Sequence, residues 1–270
     1  MIAPNISVVI PTLNSDWCLG ETLQSILGQA GSVARIIVAD SNSTDDTRRI
    51  CDQLGIEVIT EPKGNMYRAI NAGLHRCDTE WLAYTNADDP WYGDAHRRLL
   101  EAGQKHGADI VYGACDCIDT HGRFLYSYDP PAPHKLQAFF RTAWMPFAQT
   151  TVIFRRSLFE QLGGFDDRYR LSADFDFFLR AHRKGARFVL VEGRPVSRWR
   201  LHETQLSKQH AEAAEAEKRD SAARAGLRST SADRASIFLW RVSNWRNYLE
   251  RIMRGAQLRG KISLPRALES

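Results

Sequence analysis

Short apolar, β-branched runs alternate with stretches of helical spacing along the first 115 residues. Ile6-Ser7-Val8-Val9-Ile10 reads as a buried strand closed by Pro11-Thr12-Leu13-Asn14. Over residues 17–29, Leu19, Leu23, Ile26 and Leu27 fall on one helical face. A second strand, Arg35-Ile36-Ile37-Val38-Ala39, ends on Asp40. Ser43 or Thr44 is placed to cap the helix that follows, with Asp45 and Asp46 in its first turn, where the dipole favours anions. Residues 56–59 predict a third strand, 66–76 a third helix and 81–84 a fourth strand. This alternation predicts an α/β fold with a mostly parallel sheet.

Sheets of this kind bind ligands outside the C-terminal ends of their strands. Asn14, Asp40 and Asp88 all lie at or just beyond such ends, so they are expected on one rim. Thr85-Asn86-Ala87-Asp88-Asp89-Pro90 follows the fourth strand directly. Adjacent carboxylates repel and call for a cation or a solvated position, and hard oxygen ligands suit a divalent cation. An acidic surface turn is the plain alternative. No GxGxxG follows the first strand and no GxxxxGK[ST] occurs, so neither a dinucleotide loop nor a P-loop is supported.

The second half is less regular. A strand is predicted at 109–112, a hairpin over 118–128 turning at Thr120-His121-Gly122, and a rigid loop at Asp129-Pro130-Pro131-Ala132-Pro133. Residues 149–154 read as a core strand, 156–162 as a short helix ended by Gly163-Gly164, and 172–184 as a helix with Asp174 and Asp176 at its start.

Taken together, these motifs resemble a family 2 glycosyltransferase of the GT-A fold, of the inverting kind that builds bacterial surface polysaccharides. The resemblance covers about residues 5–207 and rests on seven motifs in order. They are Val8-Val9-Ile10-Pro11-Thr12-Leu13-Asn14, the run from Ile37 to Thr47 through Ala39-Asp40-Ser41, Glu61-Pro62-Lys63-Gly64, Ala69-Ile70-Asn71-Ala72-Gly73, Asn86-Ala87-Asp88-Asp89, Gly163-Gly164-Phe165-Asp166 and Ala173-Asp174-Phe175-Asp176. It implies a Rossmann-like, mostly parallel sheet with a helical C-terminal extension. A GT-A catalytic domain would span 1–207, its nucleotide-binding half about 1–115 and its acceptor half 116–207, with a basic helical extension over 208–270.

The resemblance also implies roles. Asp88 matches the metal ligand of the Asp-x-Asp motif, and Asn86 stands where that motif has its first acid, followed by Ala87. The ion would be Mn²⁺ or Mg²⁺, neutralising the departing diphosphate. Asp89 is expected to support the site. Asp40 matches the position that reads the nucleobase, and a carboxylate accepts from the imide N–H of uracil or thymine. A UDP-sugar is therefore the first expectation, with dTDP next, while capping the following helix is an equal reading of Asp40. Pro11, Thr12 and Asn14 line the same pocket, Lys63 approaches the donor, and Asn71 either contacts the donor or anchors a loop. Asp174 matches the catalytic base, with Asp176 as runner-up. His202 either returns to the metal or diphosphate or has no ligand role. Ala148 stands where many relatives carry a histidine, which bears on the acceptor side.

Composition adds three expectations. The chain has 270 residues, 43% of them hydrophobic, yet no stretch of ~20 apolar residues to span a membrane. The opening Met1-Ile2-Ala3-Pro4-Asn5 lacks a basic-then-apolar secretion pattern, and five scattered cysteines fit reduced thiols. A cytoplasmic location is expected, on the inner face of the cell membrane if the tail binds lipid. Residues 205–228 read as a solvated helix. Residues 231–270 carry eight Lys and Arg against three acids, and residues 234–259 read as a basic amphipathic helix with aromatics. That helix packs on the catalytic domain or a sister subunit, or docks on an anionic membrane surface; nucleic acid is not an expected partner. The partners are a nucleotide-sugar donor and a glycan or lipid-linked acceptor. Two alternatives remain: a sugar-1-phosphate nucleotidyltransferase, or an inactive nucleotide-sugar-binding relative.

Overall fold

The computed structural model describes residues 5–29, 31–247, 249, 252 and 253. The readings of residues 1–4 and of much of the segment beyond 247 lie outside them.

Seven strands form the main sheet: β1 (Ile6–Thr12), β2 (Val33–Asp40), β3 (Glu57–Thr60), β4 (Trp81–Tyr84), β5 (Ile110–Gly113), β8 (Ile153–Arg155) and β9 (Phe188–Val191). Their order is β3-β2-β1-β4-β8-β5-β9. β1 pairs in parallel with β2 and β4, and β2 with β3, while β8 runs antiparallel to both β4 and β5. The GT-A expectation of a mostly parallel sheet is met. β6 (Cys115–Ile118), β7 (Phe124–Tyr128) and β10 (Ser197–Arg200) make a second sheet in the order β10-β6-β7.

All seven residues of β1 are buried, as expected for a strand covered on both faces. Its side chains alternate between two cores. Val8 and Ile10 pack with Leu19 and Leu23 of α1 (Leu19–Leu27) and Leu99 of α4 (Ala95–His106). Val9 faces the other way, to Ile70 of α3 (Met66–Leu74), Phe159 of α6 (Arg156–Leu162) and Phe177 of α7 (Ala173–Arg183). Gly73 allows α3 to lie this close, because a Cβ there would stand 2.7 Å from Val9.

Some boundaries differ from expectation. α2 (Thr47–Gln53) begins three to four residues after Ser43 and Thr44, with Asp46 at its N-cap. Ser43 turns its hydroxyl back to Asp40 instead. Residues 149–151 form a 3₁₀ turn that shortens the expected strand to β8. The proline loop runs into another 3₁₀ turn and α5 (Leu136–Arg141). α4, α5, β9 and β10 were not expected at all.

The extension is helical, with α8 (Leu206–Gln209), α9 (Ala211–Arg224) and α10 (Ser231–Ser243). Residues 205–228 are helical and largely exposed as read, but one face of α9 buries Ala214, Ser221 and Ala222 and hydrogen-bonds to α7. α10 packs Ile237 and Trp240 on Ala138 and Phe139 of α5, so docking on the catalytic half holds for one face. Phe238, Leu239 and Val242 of α10 are exposed, as are Trp245 and Leu249 beyond its end. Arg251, Arg254 and Arg259 of the expected amphipathic helix lie outside the described residues. All five cysteines are free and buried. Among the described residues, no helix is long and apolar enough to cross a membrane.

Candidate functional site

The loops after β1 and β2 are tied together at the rim. Asn14, in the left-handed region at φ 52°, accepts from the Thr44 amide at 2.9 Å on its side-chain oxygen and donates its own backbone amide to the Ser43 hydroxyl oxygen at 2.9 Å. Asp40 is fully buried. Its carboxylate accepts from the Ser43 amide at 3.2 Å, Arg48 Nε at 2.7 Å and the Thr12 hydroxyl at 3.3 Å. Burial pushes this carboxyl up, but the Ser43 and Arg48 donors outweigh it and hold it below the usual range. Asp40 thus fixes the loop after β2 and does not cap α2. Pro11 is buried in β1, and Lys63 is exposed ahead of α3.

β4 ends where the acidic turn begins. Ala87 is buried in the core, so only its backbone can face a ligand. Asn86 donates to Asp89 Oδ2 at 2.9 Å. Asp89 is buried and also accepts from the Arg200 amide at 3.0 Å, joining the turn to β10. Burial and then the charge of Asp88 push the Asp89 carboxyl well above the usual range. Asp88 points elsewhere. Its Oδ2 meets His202 Nε2 at 2.8 Å, while His202 Nδ1 meets the Thr204 hydroxyl at 2.7 Å. The exposed Trp17 ring stands edge-on to His202, centroids 5.5 Å apart. His202 is thus paired with the Asp88 carboxylate on one ring nitrogen and with Thr204 on the other.

Asp88 presents a hard carboxylate oxygen of the kind that suits Mn²⁺ or Mg²⁺, while the His202 nitrogen beside it suits a transition ion better than Mg²⁺. Among the described residues no cluster of three or more His, Cys, Asp or Glu side chains could hold an ion. The remaining ligands would therefore have to come from a diphosphate and water. The Thr204 hydroxyl at the other ring nitrogen fixes the orientation of the imidazole.

Asp174 lies in the first turn of α7. Its Oδ1 accepts from the Tyr67 hydroxyl at 2.9 Å and from the Phe175 amide at 2.8 Å. Burial pushes its pKa above the usual carboxylate value, and those two donors only partly offset this. The Tyr67 ring packs edge-on to Tyr84, the last residue of β4, with centroids 6.4 Å apart. Asp174 is thereby linked to the strand whose next residues carry Asp88. Asp176 is committed, accepting from Arg180 at 2.6 Å and Ser221 at 2.8 Å, so it is not placed as a base.

Asn71 is committed as well. Its amide donates to the Phe165 carbonyl at 2.7 Å and accepts from the Phe165 amide at 2.9 Å. Asn71 thus anchors the loop that carries Phe165. Gly164 beside it sits at φ 76°, and a Cβ there would lie 2.9 Å from Asn71 Oδ1.

The sequence profile of the Glycosyl transferase family 2 matches residues 7–163, more than half of the chain. The chain belongs to this family. A PGL/p-HBAD biosynthesis glycosyltransferase of Mycobacterium bovis is 30% identical over 188 residues, 67% of this chain and 70% of that one. The amylovoran biosynthesis glycosyltransferase AmsB of Erwinia amylovora is 26% identical over 223 residues, 76% of this chain and 72% of that one. The crystal structure of S. aureus TarS 1-349 in complex with UDP-GlcNAc superposes with a TM-score of 0.61 at 19% identity, over 74% of this chain. The match spans 60% of that TarS chain. The protein is thus a family 2 glycosyltransferase with the GT-A fold, and its activity is glycosyl transfer.

Several residues of this glycosyltransferase's site were not legible in the sequence. Arg200 is buried and donates to the Asp88 carbonyl at 3.2 Å and to the Thr120 carbonyl at 3.1 Å, and it pairs with Glu21. Tyr67 bonds Asp174, and Ser43 and Arg48 bond Asp40. Each is an ordinary polar or aromatic residue whose role arises from contacts 8 or more positions away, apart from the local Ser43 turn.

Proposed function

We propose that this glycosyltransferase moves a hexose from a UDP-sugar, with inversion, to a hydroxyl of a glycan or lipid-linked acceptor. The observation that carries the reading is the placement of two acids around the end of β4. Asp88 faces His202 just past the strand, and Asp174 reaches the strand's last residue through Tyr67.

Asp174 would take the proton of the acceptor hydroxyl as its oxygen bonds the anomeric carbon. The bond from that carbon to the diphosphate breaks in the same step, and UDP leaves with the electron pair. The raised proton affinity of Asp174 suits a general base, and Tyr67 holds the oxygen that stays behind. Asp88 and His202 would hold Mn²⁺ or Mg²⁺, which supplies charge neutralisation at the departing diphosphate. Arg200 braces the backbone of Asp88 from within. Thr12, Asn14 and Asp40 would line the uridine side, and Lys63 would reach the donor.

The TarS structure in complex with UDP-GlcNAc supports the donor class, and the relatives of PGL/p-HBAD and amylovoran biosynthesis support a glycan or lipid-linked acceptor. The exposed apolar face of α10 flanked by Arg241 and Arg246 supports docking on an anionic membrane at the cytoplasmic side. Equal pelleting with phosphatidylglycerol vesicles, with and without residues 231–270, would remove that part.

Calorimetric titration of UDP, dTDP, GDP and CDP, each with and without Mn²⁺, tests the donor reading. UDP should bind with metal dependence, and Asp88→Ala should abolish that dependence. A preference for dTDP would redirect the donor. No binding of any diphosphate would point to an inactive relative.

A further inference from the structure

α9 holds the backbone that leads into α7. Helix N-termini leave amides without intrahelical partners. Ser172, at the N-cap of α7, makes no capping bond and donates its hydroxyl to the Ala214 carbonyl of α9 at 3.0 Å. Glu217 of α9 instead binds the N-cap amide and the two amides before it. Its Oε1 accepts from the Arg170 amide at 3.0 Å, and its Oε2 accepts from the Leu171 and Ser172 amides at 2.9 Å each. Bonds to an ionised acceptor are stronger than neutral ones.

The same helix grips the segment on either side. The Tyr169 hydroxyl donates to Asp220 at 2.8 Å, and Ser221 donates to Asp176 at 2.8 Å. Arg170 in turn donates its Nε to the Gly64 carbonyl at 3.0 Å, just ahead of α3 and Tyr67. Both groups that define the Asp174 carboxylate position, the first turn of α7 and Tyr67, are therefore tied to one strap.

We propose that Glu217 is a positioning residue for the base: by binding three successive amides before α7, it sets where the Asp174 carboxylate stands. This rests on the reading of Asp174 as the base. It also makes α9 a working part of the catalytic unit, although α9 lies beyond both the family profile and the expected domain end at 207.

The experiment compares Asp174→Asn, Glu217→Ala and Glu217→Gln in the full chain. Turnover is read as UDP release from UDP-N-acetylglucosamine and other UDP-hexoses, UDP affinity by calorimetry, and the 170–172 amides by hydrogen exchange. Glu217→Ala should exchange those amides about tenfold faster. It should lower kcat by about 10- to 100-fold, as a small misplacement does, with UDP affinity and donor KM unchanged. Glu217→Gln keeps an acceptor oxygen and should recover part of kcat, and it carries the test if the alanine variant does not fold. Unchanged exchange in a folded variant overturns the proposal, as does UDP affinity falling in parallel with kcat. Inactive Asp174→Asn beside normal Glu217 variants overturns this proposal alone. Full activity of Asp174→Asn overturns the base reading, and this one with it.

Discussion

The acids on the two sides of β4 are treated in opposite ways. On the donor rim, Asp40, Asp45 and Asp46 are all held below the usual carboxylate range. At Asp40 and Asp45 burial works against this and local donors outweigh it, and at Asp46 Arg49 dominates. On the other side Asp174 is pushed up by burial, and its bonds from Phe175 and Tyr67 are too few to reverse the shift. Tyr67 and Tyr84 beside it are pushed well up too, again by burial first. Around Asp40 the rim keeps its acids ionised and neutralised by its own chain, whereas Asp89, just past β4, is pushed up by burial and then by the charge of Asp88. A base must hold a proton for an instant, and a dry pocket raises its affinity for one.

The sharpest way to break that contrast is the same substitution on each side. Asp174→Asn removes the base and should cost roughly 10³-fold in kcat. It should also raise the melting temperature at pH 7. The folded pKa lies above the unfolded 3.8, so the ionised form costs stability at every higher pH, and a neutral amide escapes that cost. A lower melting temperature would mean that the Tyr67 and Phe175 bonds outweigh burial, and the contrast would fail. Asp40→Asn should do the reverse and lose about 2 kcal/mol at pH 7 in urea unfolding. Its folded pKa is depressed, so its contribution is present above the unfolded value of 3.8 and is lost as pH falls through the folded one. The gap between wild type and variant should therefore close in strong acid.

Much of the donor side could be read from the sequence, for a physical reason. Parallel strands buried on both faces are short apolar runs whose ends are easy to place, so β2 and β4 led directly to Asp40 and Asp88 at the rim. The other side resisted because its contacts are polar. α9 meets α7 through Ala214, Glu217 and Ser221, a face that looks solvated in sequence. β10 reads Ser-Arg-Trp-Arg, and nothing local says that Arg200 is buried behind Asp88. α4 hides Leu99 and Leu100 among Arg97, Arg98 and Glu101. α10 carries apolar residues on two faces, and only packing on α5 decides which one is covered. Asn71 had two readings, separated only when Phe165 was found against it.

Asn71 lies between the two sides, and removing it tests how far they are joined. Asn71→Ala leaves the amide and carbonyl of buried Phe165 without their partner, at a cost of about 2–3 kcal/mol in stability. UDP affinity should stay unchanged by calorimetry, since the donor rim is built from other loops. A loss of UDP affinity larger than the loss of stability would return Asn71 to the donor pocket.

The smallest effect concerns acid, and here the two sides should diverge in sign. His96 is fully buried on the α4 face of the sheet, stacked on Trp91 at 4.1 Å, and neither ring nitrogen has a hydrogen-bond partner. Burial lowers its pKa from 6.5 to about 3. The unfolded chain therefore takes up a proton that the folded chain refuses, and stability is lost as pH falls from 6.5 toward 3. The slope can reach about 1.4 kcal/mol per pH unit. Asp174 contributes the opposite trend, because its cost is relieved as it becomes protonated. His96→Phe keeps the stacked ring and removes the titration. Its melting temperature should change little between pH 7.5 and 5, where that of the wild type falls. If His96→Phe keeps the wild-type slope, the loss arises elsewhere, and acid does not separate the two sides of the sheet.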